Sequence, residues 1–325
     1  MNSIEFTNFL KSMDKGLLIL SRLNNKSLWD SKLKKISFVP HFYSNDFLDY
    51  QNEYFQKNCE ELSFMAFKND SFLFQLSLFK VKNKMKFFNN DGYLEISNDL
   101  LELIFEKKIF GSKTNFFEFF NSTETEFLLP NKEYNIDLKK LDDCDSLNLS
   151  LEGSFENIMT NFRDSTMNRL NKKFDNLEYF TISKKKCDED WKSFKSLHKN
   201  VAGGSTRSDT SWDMQYDNIR KGTSVFIYSK FNKKFIAGCL FDHSKDDIKY
   251  SVSASDPNFK KFNSNEKIIS LAIKYAKSIN IKNLHLGVLK KKESDIKKIN
   301  IHDFKKNFCR KINNNYGIYQ YMWQK

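Results

Sequence analysis

Three strand-like runs in succession, TSVFIYS (223–229), FIAGCLF (235–241) and IKYSVSA (248–254), constrain this chain more than any other feature. Each is short, apolar and rich in β-branched and aromatic residues, and only brief polar segments separate them. In the third run Ile248, Tyr250, Val252 and Ala254 are two apart, so period-two geometry predicts that they share one face. An amphipathic stretch follows at 264–279, with Ile268, Ala272, Tyr275 and Ile279 directed inward and Asn263 and Glu266 at capping-box spacing. LHLGV (284–288) is a further strand. Such an order needs a mixed sheet with helices packed on its faces.

The remainder of the second half extends this pattern. Phe155, Ile158, Met159, Phe162 and Leu170 fall on one helical face, which predicts a helix over 155–173. LEYFTIS (177–183) reads as a strand, 187–199 and 209–221 as helices, 294–308 as a helix, and IYQYMW (318–323) as a final strand. The first half is mixed as well. GLLIL (16–20) and ISFVP (36–40) read as strands, and 44–57 as a helix capped by Ser44 or Asn45. LSFMAF (62–67) and SFLFQLSLFKV (71–81) read as paired strands turning at 68–70. Residues 97–108 suit a helix and EYNIDL (133–138) a strand. The acidic LDDCDS at 141–146 reads as a loop and a domain boundary. The fold class expected is α/β with a mixed α+β sheet, in two domains of residues 1–150 and 151–325.

Charge is unevenly placed along the 325 residues. Residues 1–150 carry 19 Lys+Arg against 22 Asp+Glu, whereas residues 151–325 carry 34 against 19. The whole-chain balance of +12 is therefore concentrated in the second half, at +15. This asymmetry points to an anionic partner such as a phosphate, nucleotide, tRNA or membrane surface, or else to a solvated basic face. The five cysteines are scattered without metal-ligand spacing. The first twenty residues lack the basic and apolar regions of a signal peptide. No stretch approaches the ~20 apolar residues of a membrane span. A soluble, cytoplasmic protein is the expectation, with peripheral contact at the inner face of a membrane left open.

Two segments carry a resemblance. Residues 202–222, AGGSTRSDTSWDMQYDNIRKG, and residues 302–310, HDFKKNFCR, resemble the corresponding blocks of FemAB-like and related GNAT-type acyltransferases. There a Gly-rich loop leads into a T-R-S-D-E-x-W-like block, and an F-K-[RK]-x-[FW]-G-like block lies near the end. FRDSTMNRLNKKFDNLEYFTI (162–182) resembles the family helix that precedes the second domain's first strand. Thr210, Gly287-Val288 and Cys309 depart from the family pattern. The resemblance implies two tandem GNAT-like domains, the first degenerate. It also implies an enzyme that transfers an acyl group to an amine, without a tightly bound cofactor. Some members take the acyl group from acyl-CoA, often to an amino sugar in surface-polysaccharide pathways. Others take an amino acid from aminoacyl-tRNA and add it to a peptidoglycan precursor. Transfer from acyl-CoA to an amino sugar or envelope precursor, nucleotide- or lipid-linked, is the reading favoured here; the tRNA-dependent route is the alternative. A third reading is a catalytically inactive basic protein bound to RNA or an anionic surface. DNA is not an expected partner.

Under the resemblance, strands 248–255 and 283–288 splay apart and expose backbone groups to the donor. Asp209 and Asp256 are then candidate bases and Tyr250 a candidate acid. Taken alone, Asp209 reads more readily as a helix N-cap, with the adjacent Arg207 favouring the functional reading, and Tyr250 reads at least as readily as a core tyrosine. Arg207, with Ser208, follows the Gly-Gly loop and suits a bidentate grip on phosphate or carboxylate. Trp212 walls a sugar or base, or is buried in helix packing. Lys305 and Lys306 neutralise a donor phosphate or face solvent. Lys260, Lys261, Ser264 and Asn265 surround the helix start where a coenzyme pyrophosphate would bind, although the GNAT Arg/Gln-x-x-Gly-x-Gly/Ala signature is absent. His198 reads as a packing residue.

Overall fold

The computed structural model describes residues 17–35, 39, 41–55, 59–81, 84–87, 116–122, 136–310 and 313–323. The predicted helix at 97–108 lies outside these residues, as does the predicted strand at 36–40 apart from Val39. Two compact units divide the chain. One comprises Met1–Asp145, Lys290–Lys292 and Asn314–Lys325, and the other Ser146–Leu289 and Glu293–Asn313.

In the first unit, strand β1 (Leu17–Ser21) leads to helix α1 (Lys26–Leu33) and helix α2 (Asn45–Phe55). The Ser44 hydroxyl accepts the Phe47 N–H at 3.2 Å, so Ser44 caps α2. Strands β2 (Cys59–Glu61), β3 (Phe64–Lys68), β4 (Ser71–Leu76), β5 (Leu78–Val81), β6 (Lys84–Phe87) and β7 (Phe116–Ser122) follow. β3 and β4 form the expected antiparallel hairpin, turning through Asn69 and Asp70 at φ 49° and 63°. The long run 71–81 is two strands: β4 joins β3, whereas β5 leaves to pair with β2. Ser63 stitches the change of partner, since its hydroxyl accepts the Leu78 N–H at 3.1 Å. β6 then pairs in parallel with β7.

Strand β8 (Ile136–Ser150) spans 141–146. The loop expected there is therefore extended ladder, and the unit division at Asp145 and Ser146 falls inside a strand. Acidic residues do not break a strand when backbone pairing is available.

The second unit continues with α3 (Phe155–Met159), α4 (Asp164–Leu170), β9 (Leu177–Ile182), α5 (Asp188–Ala202), α6 (Asp209–Lys221), β10 (Ser224–Phe231), β11 (Lys234–His243), β12 (Asp247–Ser255), α7 (Ser264–Ser278), β13 (Asn283–Lys290) and α8 (Ile296–Lys306). The strand order is β8-β13-β12-β11-β10-β9. β9 to β12 are antiparallel neighbours, and β12 and β13 are parallel. β14 (Asn313–Trp323) belongs largely to the first unit, where it pairs antiparallel with β7. Among the described residues each unit thus combines antiparallel pairs with a parallel one, β6–β7 in the first and β12–β13 in the second.

The helix expected over 155–173 is broken between α3 and α4. Backbone groups at the break pair elsewhere: Arg163 N–H donates to Asn307 O and Arg310 N–H to Asn161 O, both at 2.9 Å. Phe162 is fully buried, edge-on to Phe308 at 5.1 Å. Tertiary pairing with the segment after α8 outweighs the continuous 3.6-residue pattern. The capping box at Asn263 is not formed either. Asn263 lies at φ 52° and donates its amide to Lys261 O, while Glu266 pairs with Arg169 at 2.9 Å.

Two apolar layers sandwich the sheet of the second unit. Val225, Ile227, Ala237, Cys239, Phe241 and Ile248 face a core with Ile158, Phe162, Ile269, Ile273 and Phe308. Phe226, Tyr228, Leu240, Val252 and Ala254 face the opposite core, with Trp191, Phe194 and Trp212. β12 therefore changes face midway. Its register against β11 jumps from Phe241↔Tyr250 to Leu240↔Val252, leaving Ser251 as a β-bulge. This corrects the expectation that Ile248, Tyr250, Val252 and Ala254 share a face: the bulge turns the first two to one layer and the last two to the other.

Gly238 permits close packing in the second layer. A methyl group there would meet Phe235 at 2.9 Å, Phe226 at 3.0 Å and Phe194 at 3.1 Å. Gly238→Ala is expected to destabilise the protein by about 1–3 kcal/mol through overpacking. Urea unfolding followed by tryptophan fluorescence reads this directly, because Trp191 and Trp212 lie in the same layer; an unchanged midpoint would contradict it.

Candidate active site

Parallel pairing between β12 and β13 covers Asp247↔Asn283, Ile248↔Leu284 and Lys249↔His285. Both strands run on, to Ser255 and Lys290. The ladder therefore opens where the Ser251 bulge bends β12 towards β11. The closed end is pinned by polar contacts: His285 Nε2 lies 2.8 Å from Asp247 Oδ1, and its Nδ1 contacts Asn148 Oδ1 on β8.

Lys305, from the last turn of α8, reaches the mouth of this opening. Its Nζ lies 4.6 Å from the Tyr250 ring centroid. A methyl group on Gly287 would sit only 3.2 Å from the same nitrogen. Gly287 has φ 124°, a conformation available to glycine and strained for other residues. Its missing side chain lets the ammonium approach the β13 backbone. Burial pulls the Lys305 ammonium down to about 8, with Cys239 opposing and Lys249 adding to the shift. Burial also pushes the Tyr250 phenol well above its ordinary value, with Cys239 adding to the effect. Tyr250 consequently remains a proton donor at neutral pH, and Lys305 gives up a proton more readily than a solvated lysine.

A second group lies around Arg207. Its Nη1 donates to Gln215 Oε1 at 2.9 Å, and the guanidinium carbon stands 4.5 Å from the Trp212 ring centroid. Trp212 is buried among Trp191, Phe194 and His198, so it forms the base on which Arg207 rests. Ser208 is the N-cap of α6, its hydroxyl accepting the Ser211 N–H at 3.0 Å. Asp209 is the first helical residue, not the cap. Its side chain is exposed and paired with Lys195 at 3.1 Å, a solvated environment unlike that of a poised base.

His198 was readable from sequence only as packing. It does contact Trp212, at 5.2 Å between ring centroids. Burial, then the charges of Arg207 and Lys297, pull its imidazole down to about 4, so it is neutral across the ordinary pH range. Lys297 and Lys305 are eight residues apart on α8, ~12 Å along its axis. The helix thus brings one lysine to the Arg207 group and another to the strand opening. Gln215 and Gly287 were missed as site residues. Gln215 carried a faint signal, since it is three residues after Trp212 on the same helical face.

The third set of sequence candidates is arranged differently. Asp256 caps the 3₁₀ turn Pro257–Phe262, accepting the Asn258 N–H at 3.0 Å and pairing with Lys234 at 3.3 Å. Burial raises its pKa, but the Asn258 N–H and Lys234 outweigh that and hold it below the ordinary aspartate value. A carboxylate so stabilised is a structural cap and a poor base. Lys260 and Lys261 are exposed. Asn265 donates to the Ser255 hydroxyl at 3.2 Å, and Ser264 is buried. The turn is closed by aromatic packing: Phe262 lies 4.5 Å from Phe231 and 5.0 Å from Phe174 between ring centroids. Glu266, half a turn into α7, already places a buried carboxylate near that helix start. Lys306 is partly exposed and lies 3.7 Å from Asp303.

No protein-family model matches the chain, and no curated protein does. Solved structures do match. The structure of FemX superposes with TM-score 0.66 at 11% identity, covering 91% of this chain and 95% of that one. A tandem GNAT protein from the clavulanic acid biosynthesis pathway gives 0.51 at 7% identity, covering 94% and 97%. L-PGS from Bacillus licheniformis gives 0.51 at 10% identity, covering 91% of each chain. The protein has the FemAB-like tandem GNAT fold, with two GNAT-like domains in a mixed α/β architecture.

The environment of Lys305 sets a pH signature. Above about 8 the folded protein releases this proton, while the unfolded chain keeps it to about 10.5. The unfolded state then binds more protons, so stability rises with pH across that window. Urea midpoints measured from pH 7.5 to 10.5 are expected to rise relative to those of Lys305→Met, which lacks this titration. Parallel curves for the two proteins would contradict the assignment.

Proposed function

We propose that the protein transfers an activated carboxyl group to an amine, and that the donor is an aminoacyl ester of RNA. The observation that carries the reading is the desolvated Lys305 ammonium between Tyr250 and Gly287, at the point where the β12–β13 ladder opens. An amine nitrogen attacks the donor carbonyl carbon, and negative charge develops on the carbonyl oxygen. An ammonium in a partly water-excluded site, beside open strand backbone, stabilises that charge far better than one in bulk water. As the C–N bond forms and the ester C–O bond breaks, the amine loses a proton and the leaving hydroxyl gains one. Tyr250, held protonated, suits donation to the leaving oxygen, and the phenolate so formed takes back the proton that the amine releases, while Lys305 stays an ammonium beside the carbonyl oxygen.

The choice of donor rests on the start of α7. A coenzyme pyrophosphate needs free N–H groups and a glycine-lined approach at that helix end. Here the approach is a phenylalanine-packed 3₁₀ turn without glycine, and the first turn already holds the Glu266–Arg169 ion pair. The +15 charge of residues 151–325 also favours a polyanionic donor. Transfer from acyl-CoA to an amino sugar, the reading favoured by sequence, keeps the support of the likeness to a tandem GNAT protein. Arg207, resting on Trp212 with Lys297 nearby, suits the phosphate or carboxylate of an envelope-precursor acceptor. No helix among the described residues is long and apolar enough to cross a membrane.

The test pairs two donors with purified protein: radiolabelled aminoacyl-tRNAs with a nucleotide-linked muropeptide, and a panel of acyl-CoAs with nucleotide-linked amino sugars. Aminoacyl transfer is expected, and Lys305→Met is expected to lower kcat by roughly 100-fold or more with little change in donor affinity. Turnover of an acyl-CoA alone would overturn the donor assignment. Full activity of Lys305→Met would overturn the role of the lysine.

A further inference from the structure

A depression of about 510 Å³ lies outside the strand opening, lined by Lys184, Lys185, Lys186, Asp217, Arg220 and Lys221. Five of its six lining side chains are cationic. Arg220 and Lys221 occupy the last turn of α6, where the helix dipole alone favours cations. The three lysines come from a different segment, the loop between β9 and α5, and add like charge with no such local reason. Their placement is fixed by the backbone. Lys184 adopts φ 57° and its N–H donates to Ile219 O at 2.8 Å. Its aliphatic stem crosses Gly222 so closely that a methyl group there would meet Lys184 Cγ at 2.5 Å. Asp217 lies 3.0 Å from Arg220 and is the one anion among the described lining residues. Five exposed cations crowd two fixed turns, one of them already paired with Asp217, and a polyanion placed between them would relieve their mutual repulsion.

We propose that this depression is the docking site for the phosphodiester backbone of the RNA that carries the donor ester. The inference rests on the donor reading above and extends it to a site that none of the catalytic candidates occupies. Several cations around a space larger than one phosphate match a repeating polyanion. Among the described residues, none of the exposed large apolar side chains, such as Val201, Ile279, Val288 and Ile296, lines the depression. A membrane-binding face needs an apolar group to insert, and a concave wall disfavours a flat bilayer. Three strand spacings separate β9, which leads into Lys184, from β12. That is ~15 Å across the sheet, and the register sets Ile182 level with Val252 through Phe226 and Leu240, with Lys184 beyond it towards the paired end of β12, so an RNA seated in the depression turns past that end to bring its 3′ end to the strand opening.

The experiment uses the full chain and a fluorescein-labelled RNA hairpin ending in single-stranded ACCA. Fluorescence anisotropy is recorded across a KCl series for wild type and for the double variant Lys185→Glu/Lys221→Glu. Both residues are exposed, and a thermal melt checks that the variant is folded. The variant is expected to bind the hairpin at least tenfold more weakly, with a salt slope smaller by about 2. Transfer from an aminoacylated CCA trinucleotide, too short to reach the depression, is expected to be unchanged. Equal hairpin affinity for the two proteins overturns the proposal. So does weak hairpin binding by wild type together with charge-dependent binding to phosphatidylglycerol vesicles, which would assign the surface to a membrane. Charge-dependent hairpin binding without transfer from either donor supports the docking site and defeats the donor reading instead.

Discussion

The Ser251 bulge is the constraint on which the active region depends. Without it, β12 would remain in register with β11 and present one face throughout. With it, Ile248 and Tyr250 face the α7 layer, and Val252 and Ala254 face the α5–α6 layer. The same displacement bends β12, and its pairing with β13 ends after Lys249 and His285. A sheet that is closed by the His285–Asp247 contact at one end and open at the other holds unpaired strand edges in a protected place. Backbone groups that would normally be satisfied by a neighbouring strand then become available to a ligand.

Lys305 gives that opening its chemical character. An ammonium brought near Gly287 and the face of Tyr250 loses water, which lowers its pKa towards neutrality. The low-dielectric setting that disfavours the charge also strengthens its attraction for a developing oxyanion. Around Arg207 the balance differs. Its stacking on Trp212 and its bond to Gln215 keep the guanidinium oriented, and the neighbouring imidazole of His198 stays neutral. On the proposed function, the first region would meet charge that appears during reaction, and the second charge that a ligand brings with it.

Much of the second unit was legible in the chain. The strands near 177–183, 223–229, 235–241 and 284–288 and the helices near 187–199, 209–221 and 264–279 were visible because their apolar residues recur at simple periods. What failed did so for non-local reasons. The helix expected over 155–173 breaks because Arg163 and Asn161 find backbone partners at Asn307 and Arg310. The capping box at Asn263 is absent because Glu266 is drawn to Arg169. Asp256 and Asp209 were credible bases as residue types, but one is committed to a turn and a lysine and the other is solvated beside Lys195.

The sequence by itself determined the alternation of strands and helices, the concentration of positive charge after residue 150, and the two blocks that resemble FemAB-like proteins. Local periodicity and composition are sufficient for those, since each is a property of neighbours along the chain. Only the tertiary structure decided that β12 changes face at Ser251, that Lys305 meets Tyr250 and Gly287, and that Lys184–Lys186 join Arg220 and Lys221 around one depression. Those contacts join residues tens of positions apart. Their energies depend on burial, strand register and helix placement, none of which a one-dimensional pattern contains.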